Sequence, residues 1–246
     1  MRYFLELAYQ GKAYHGWQRQ PNAISVQEVV ENKLFTLFQE HKEIVGAGRT
    51  DAGVHAKQLF AHFDAREGLN EDLVFKLNSL LPNDIAVQAL LPVLPGAHAR
   101  FDAVSRSYEY HVIQEKDPFA HDSAHLVKRN LDVDSMNAAA KILLEYSNFK
   151  CFSRSRTDVF TYNCKIEYAL WVQKKDRLVF HIKADRFLRN MVRAIVGTML
   201  EIGLEKMEVK KMHDIIRSED RGEAGASVPA KGLYLTQVDY PKTIFI

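Results

Sequence analysis

Hydrophobic spacing along this chain switches between a period of two and a period near 3.6 in one order, and that order occurs twice. From the N-terminus, Tyr3, Leu5, Leu7 and Tyr9 alternate with Phe4, Glu6 and Ala8, which predicts a strand ending at a Gly11 turn. Ser25 and Glu28 then form a capping box ahead of Val26, Val29, Val30, Leu34, Leu37 and Phe38 at helical spacing. A short strand near 43–47, a glycine-bearing loop, a strand over 58–64, a helix over 70–81 stopped by Pro82 and a strand over 84–91 complete the first series.

The second series has strand 106–113, helix 134–146, strands 162–173 and 178–184, helix 187–202, a shorter helix over 209–218 and strand 233–240. Each half reads β-α-β-β-α-β. That split pattern predicts the α+β class, with two ferredoxin-like halves, 1–104 and 105–246, sharing a mainly antiparallel sheet with helices packed on it. With 246 residues, of which 47% are hydrophobic, such halves bury a core without disulfide or metal staples.

Charge argues less. A net charge of +2 does not by itself mark a nucleic-acid binder, so clustering has to carry that case. Lys150, Arg154 and Arg156 are interleaved with Phe149 and Phe152, while Lys183, Arg186, Arg189 and Arg193 crowd a second segment. Both are candidate phosphate contacts, although either alone reads equally as solvated surface. Cys151 and Cys164 lack ligand-like spacing and read as small buried residues of a cytoplasmic chain. The N-terminus alternates at once instead of forming a signal peptide, and no stretch is apolar long enough to span a bilayer.

The unusual stretch is Gly46-Ala-Gly-Arg-Thr-Asp-Ala-Gly-Val-His-Ala56, whose three glycines and three alanines leave little bulk around Arg49, Asp51 and His55. Such a loop lets a large ligand approach the backbone. On an extended backbone Arg49 and Asp51 share a face, and an ion pair between them would keep the carboxyl ionised. A carboxylate beside a ligand cavity suits attack at a sugar C1′ or a polarised ring carbon. The plainer reading is a turn-capping Asp with a surface Arg. Tyr108 lies on a strand face with Tyr110 and Val112, either to stack on a base or to pack in the core. Arg193 flanks the apolar stripe of Leu188, Met191, Val192, Ile195 and Val196, so it either meets an acidic partner or snorkels to solvent. His15, Trp17 and Arg19 suit RNA contact or a packed turn anchored by Trp17. His121 and His125 have i, i+4 spacing but no third ligand, and read as loop residues.

GRTDAGVHA, preceded by HGWQRQ and followed by ARFDAVSRSYEY, resembles the tRNA pseudouridine synthase A family. ADRFLRNMVRAIVGTML and PAKGLYLTQVDYP resemble that family's C-terminal motifs in the same order, so the resemblance covers essentially the whole chain. It departs at Lys57, where a longer, glycine-containing link is expected. The resemblance implies a pseudouridine synthase fold with a central catalytic cleft, and an isomerase converting uridine to pseudouridine at positions 38, 39 and 40 of the tRNA anticodon stem-loop. It further implies a homodimer working without metal or organic cofactor. Asp51 then takes the family's catalytic aspartate, Tyr108 its substrate-stacking tyrosine and Arg49 the motif arginine, with a basic residue such as Arg193 set against the aspartate. Two competing readings are a non-catalytic RNA-binding module and a metal-dependent hydrolase using Asp51 and His55.

Overall fold

The computed structural model describes residues 1–66, 68–70, 72–154 and 159–246. The chain forms two compact units, Met1–Ser105 with Tyr234–Ile246, and Arg106–Leu233. Its class is α+β, as the sequence predicts.

In the first unit, β1 (Arg2–Tyr9) lies between β4 (Ile85–Val93) and β3 (His55–Asp64), antiparallel to both. The two-residue β2 (Val45–Gly46) pairs with the far end of β3. Ferredoxin-like units have this order, β4-β1-β3-β2. Phe4, Leu5 and Leu7 are fully buried, so β1 is covered on both faces, which its alternating sequence does not foretell. Helix α1 (Val26–Phe38) starts where its capping residue requires, with the Ser25 hydroxyl accepting from the Glu28 N–H at 3.3 Å. Helix α2 (Asp72–Leu80) is held to β4 by Asn78, whose amide donates to Val87 C=O and accepts from Val87 N–H, both at 2.8 Å.

A division at 104/105 misassigns the last strand. Strand β9 (Leu233–Asp239) runs parallel to β3 through His55↔Tyr234 and Ala56↔Leu235, and all but its first residue belongs to the first unit. The physical cause is an aromatic cluster: Tyr240 meets Phe4 at 5.2 Å and Phe60 at 5.3 Å between ring centroids, and Phe245 packs edge-on to Phe4. Edge-to-face rings add to what their buried area contributes.

The second unit places β8 (Leu178–Ala184) between β5 (Ser105–Ile113), whose residues from Arg106 onward lie in this unit, and β7 (Ile166–Gln173), all antiparallel. Helix α3 (Val133–Ile142) packs on β7, with Asn137 pairing to the backbone of Trp171, and on α4 (Met191–Gly203). Helix α4 is buried almost all round, while α5 (Lys211–Ser218) shows one apolar side. The histidine pair is not wholly loop, because His125–Leu126 forms β6, parallel to Val112–Ile113. No described helix is long and apolar enough to cross a membrane.

Candidate functional site

In the first unit the Asp51 loop runs from β2 to β3. The backbone carbonyl of Asp51 accepts from Val54 N–H at 3.1 Å, closing a four-residue turn in which Gly53 sits at φ 79°. That left-handed value is what the third position of a type II turn takes, and it favours glycine. Thr50 points inward, where its hydroxyl is bonded to the Tyr9 hydroxyl at 2.9 Å in a buried setting. Exposed Arg49 and half-buried Asp51 flank it on the other side of the backbone. Arg49 forms no ion pair with Asp51 or any other described residue, so the pair that a shared face would allow is not made.

The glycines divide the work unequally. At Gly46 a Cβ would run into the Trp17 indole, so this glycine serves packing, whereas nothing lies within 4 Å of where a Gly48 Cβ would be. Of these two, Gly48 alone leaves open space of the kind expected of the loop.

Two further pieces brace the turn. Trp17 is 2% exposed, stacks on Tyr9 at 6.3 Å, and links Thr50 C=O to its own N–H at 3.4 Å. Of the two readings of HGWQRQ, Trp17 takes the packed turn, while His15 stays exposed and Arg19 lies 3.5 Å from Glu31. His55, 3% exposed, accepts from Gly11 N–H through Nδ1 at 3.1 Å and stacks on Tyr234 at 4.6 Å. Accepting at Nδ1 leaves His55 neutral with its proton on Nε2. Strand β3 begins earlier than alternation suggests because four of its residues (Ala56 to Leu59) span what three residues span on β1 (Leu7 to Tyr9), a bulge at Lys57–Gln58. Lys57, the departure from the family pattern, is thus a strand residue with its ammonium 5.5 Å from the Tyr234 ring centre.

In the second unit, Tyr108 on β5 is half-buried and meets Phe187 edge-on at 5.1 Å, 87°. The neighbouring Tyr110 is the core residue, fully buried with its hydroxyl donating to Pro229 C=O at 2.9 Å. Arg193 occupies the first turn of α4, half-buried, and its Nε donates to Val228 C=O at 2.8 Å while its own C=O accepts from Val228 N–H at 3.2 Å. Simple snorkelling therefore does not describe it. Sequence reading missed this partner, which lies 35 residues downstream without any local signal.

The basic clusters are partly neutralised. Lys150 lies 3.5 Å from Glu219, and Lys183 3.2 Å from Glu167. Arg189 is exposed and its C=O accepts from Arg154 N–H, bringing the two segments together, while Arg156 lies outside the described residues. Burial pushes both cysteine thiols up to about 12, which fits the inert role read from the sequence. Among the described residues no three His, Cys, Asp or Glu side chains are grouped as a metal site.

Comparison with known proteins gives this arrangement a class. A family described as tRNA pseudouridine synthase matches residues 139–241. The chain is 51% identical to the tRNA pseudouridine synthase A of Parabacteroides distasonis over 99% of its own length and 98% of that protein's. It is 50% identical to that of Bacteroides fragilis with the same coverage, and 48% identical to that of Porphyromonas gingivalis over 100% and 99% of the two chains. Among solved structures, a Cbf5–Nop10–Gar1 complex aligns with 94% of this chain and 57% of that one at TM-score 0.34 and 10% identity, too slight a likeness to carry an argument. The chain is an isomerase of the pseudouridine synthase class. Within that class it belongs to the tRNA pseudouridine synthase A family.

Proposed function

We propose that this enzyme isomerises uridine to pseudouridine at positions 38, 39 and 40 of the tRNA anticodon stem-loop, with Asp51 as its catalytic carboxylate. One observation carries the reading: about half identity to curated synthases across nearly the full length of both chains, a span that includes the R-T-D-A-G-V-H run. The braced turn supports it, since a short, half-exposed carboxylate backed by Tyr9, Trp17 and His55 has little freedom to wander. Pre-organised groups of that kind lower a barrier by holding the geometry before the reaction begins.

In this reading the stem-loop docks by its phosphates on basic surface such as Arg154, Arg186 and Arg189. The target uridine leaves its stack, Tyr108 packs on the uracil face, and Arg49 and Arg193 contribute positive charge to the bound nucleotide. Asp51 then starts breakage of the N1–C1′ bond by attacking C1′, adding at C6 or removing the C2′ proton; each route calls for a carboxylate in nearly the same place. The freed uracil turns and C5 bonds to C1′. The C5 hydrogen leaves as a proton to solvent and N1, which carries none in uridine, takes one up, so the reaction consumes no cofactor, water or redox partner. The enzyme works as a cytoplasmic homodimer, a point checked by sedimentation of the purified protein.

The test is tritium release from tRNA labelled with 5-³H-uridine, using transcripts that keep uridine at only one of the three positions. Release by wild type that resists chelator and disappears in Asp51→Asn, with tRNA still bound, is the expected result. Binding without release by wild type would favour a non-catalytic RNA-binding module, and loss of release on chelation a metal-dependent enzyme.

A further inference from the structure

The segment 222–229, between α5 and β9, lies along α4 as a strap. Contact between them is backbone to backbone at two glycines. A Cβ on Gly197 would collide with Ala226 C=O, and one on Gly225 would lie 2.8 Å from the Thr198 nitrogen. Gly225 N–H donates to the Thr198 hydroxyl at 2.9 Å, and Val228 closes the reciprocal backbone and guanidinium bonds to Arg193 described above.

One side chain secures the strap. Arg221 is half-buried, and its Nη1 donates to Ala224 C=O and Gly225 C=O, each at 3.1 Å, while Nη2 donates to Ser227 Oγ at 2.9 Å. Ser227 Oγ also accepts from Asn190 Nδ2 at 2.6 Å. Asn190 precedes α4 in the left-handed region at φ 67° and makes no side-chain bond to the helix end, its amide being committed to the strap. A planar guanidinium reaches three acceptors at fixed angles, which an ammonium cannot imitate.

We infer that Arg221 is a positioning residue: by fastening the 222–229 strap to the start of α4 it fixes the direction in which Arg193 presents its guanidinium to the substrate. This rests on the proposed role of Arg193. Arg221 itself holds the strap and acts on the substrate only through Arg193. Loss of its three bonds frees Val228 to drift, and Arg193 follows through the Nε bond. A displacement of about 1 Å at a positioned group can reduce turnover by on the order of 10²-fold.

The experiment is a double-mutant cycle in the tritium-release assay, with Arg193→Ala, Arg221→Ala and the double variant, each checked for a cooperative thermal transition. Expected are a loss of 10- to 100-fold in kcat/KM for Arg221→Ala, only partial rescue by Arg221→Lys, and no further loss when Arg221→Ala is added to Arg193→Ala. Equal losses in both backgrounds would mean a general structural role and overturn the inference, as would full activity of Arg221→Ala. If Arg221→Ala does not fold, Ser227→Ala, which removes one acceptor only, replaces it in the same cycle under the same criteria. Failure of the underlying reading looks different: wild type releases no tritium, or Arg193→Ala is fully active.

Discussion

Two of the charged groups given functional roles, Asp51 and Arg193, are held by opposite means. Asp51 sits in a four-residue turn braced by residues of its own unit that the family motifs already contain: Thr50, Gly53 and His55 in the loop, Trp17 in HGWQRQ. Arg193 sits on a rigid helix, yet its side chain is directed by a strap 35 residues away. A turn places its carboxylate through backbone geometry and needs small residues at exact positions. A long flexible side chain on a helix needs a distant partner to select among its rotamers.

That contrast predicts which changes disturb Asp51 while leaving Arg193 alone. The largest is Trp17→Ala. Removing a 2% exposed indole that stacks on Tyr9 should lower stability by about 3–5 kcal/mol and reduce turnover, read by denaturant titration and tritium release. A variant that keeps wild-type turnover would show that the turn holds itself. Next is Gly53→Ala, which forces a side chain into φ 79° and should cost about 1–2 kcal/mol, with a fall in kcat and little change in tRNA affinity. Smallest is Tyr9→Phe, which strips the Thr50 hydroxyl of one buried partner at about 1 kcal/mol, visible as a modest drop in Tm.

A pH titration sharpens the comparison at the other end of β3. Burial, then the charges of Arg2 and His98, pulls the His62 imidazole down from 6.5 to about 4, and its Nδ1 accepts from Ala99 N–H at 3.1 Å. Between those values the unfolded chain takes up a proton that the native chain refuses. The His62 contribution to stability therefore falls as pH drops from about 6.5 to about 4, and is constant below. Denaturant midpoints measured across that window should show the slope, and His62→Gln should flatten it.

Much of the architecture was legible from hydrophobic period alone. Helix α1 starts at its predicted cap, and strands β1, β5, β8 and β9 lie within a residue or so of their expected spans. The misses have physical causes. The bulge at Lys57–Gln58 breaks the period of two and hides the start of β3. Asn190 takes a left-handed conformation to reach Ser227, so α4 begins at Met191 and not at Phe187. The last strand joins the first unit because its aromatic partners Phe4 and Phe60 are there, a long-range fact absent from local pattern.

At the site, spacing puts Arg49 and Asp51 on one side of the backbone and leaves open whether they pair; Arg49 makes no ion pair with a described residue. Side-chain reach over two extended residues permits an ion pair without requiring one. Tyr108 and Tyr110 look alike in sequence, whereas the structure buries Tyr110 and leaves Tyr108 half-exposed. Nothing in the sequence links Arg193 to Val228 or Arg221, because contacts between a helix and a strap leave no periodic trace.

The most direct test of the account is single-turnover tritium release with tRNA fully bound, comparing wild type with Asp51→Asn, a change that keeps the shape of the side chain and removes its charge. Unaltered tRNA binding and a fall in the chemical step on the order of 10²–10⁴-fold or more are expected. Release by Asp51→Asn at the wild-type rate would contradict it.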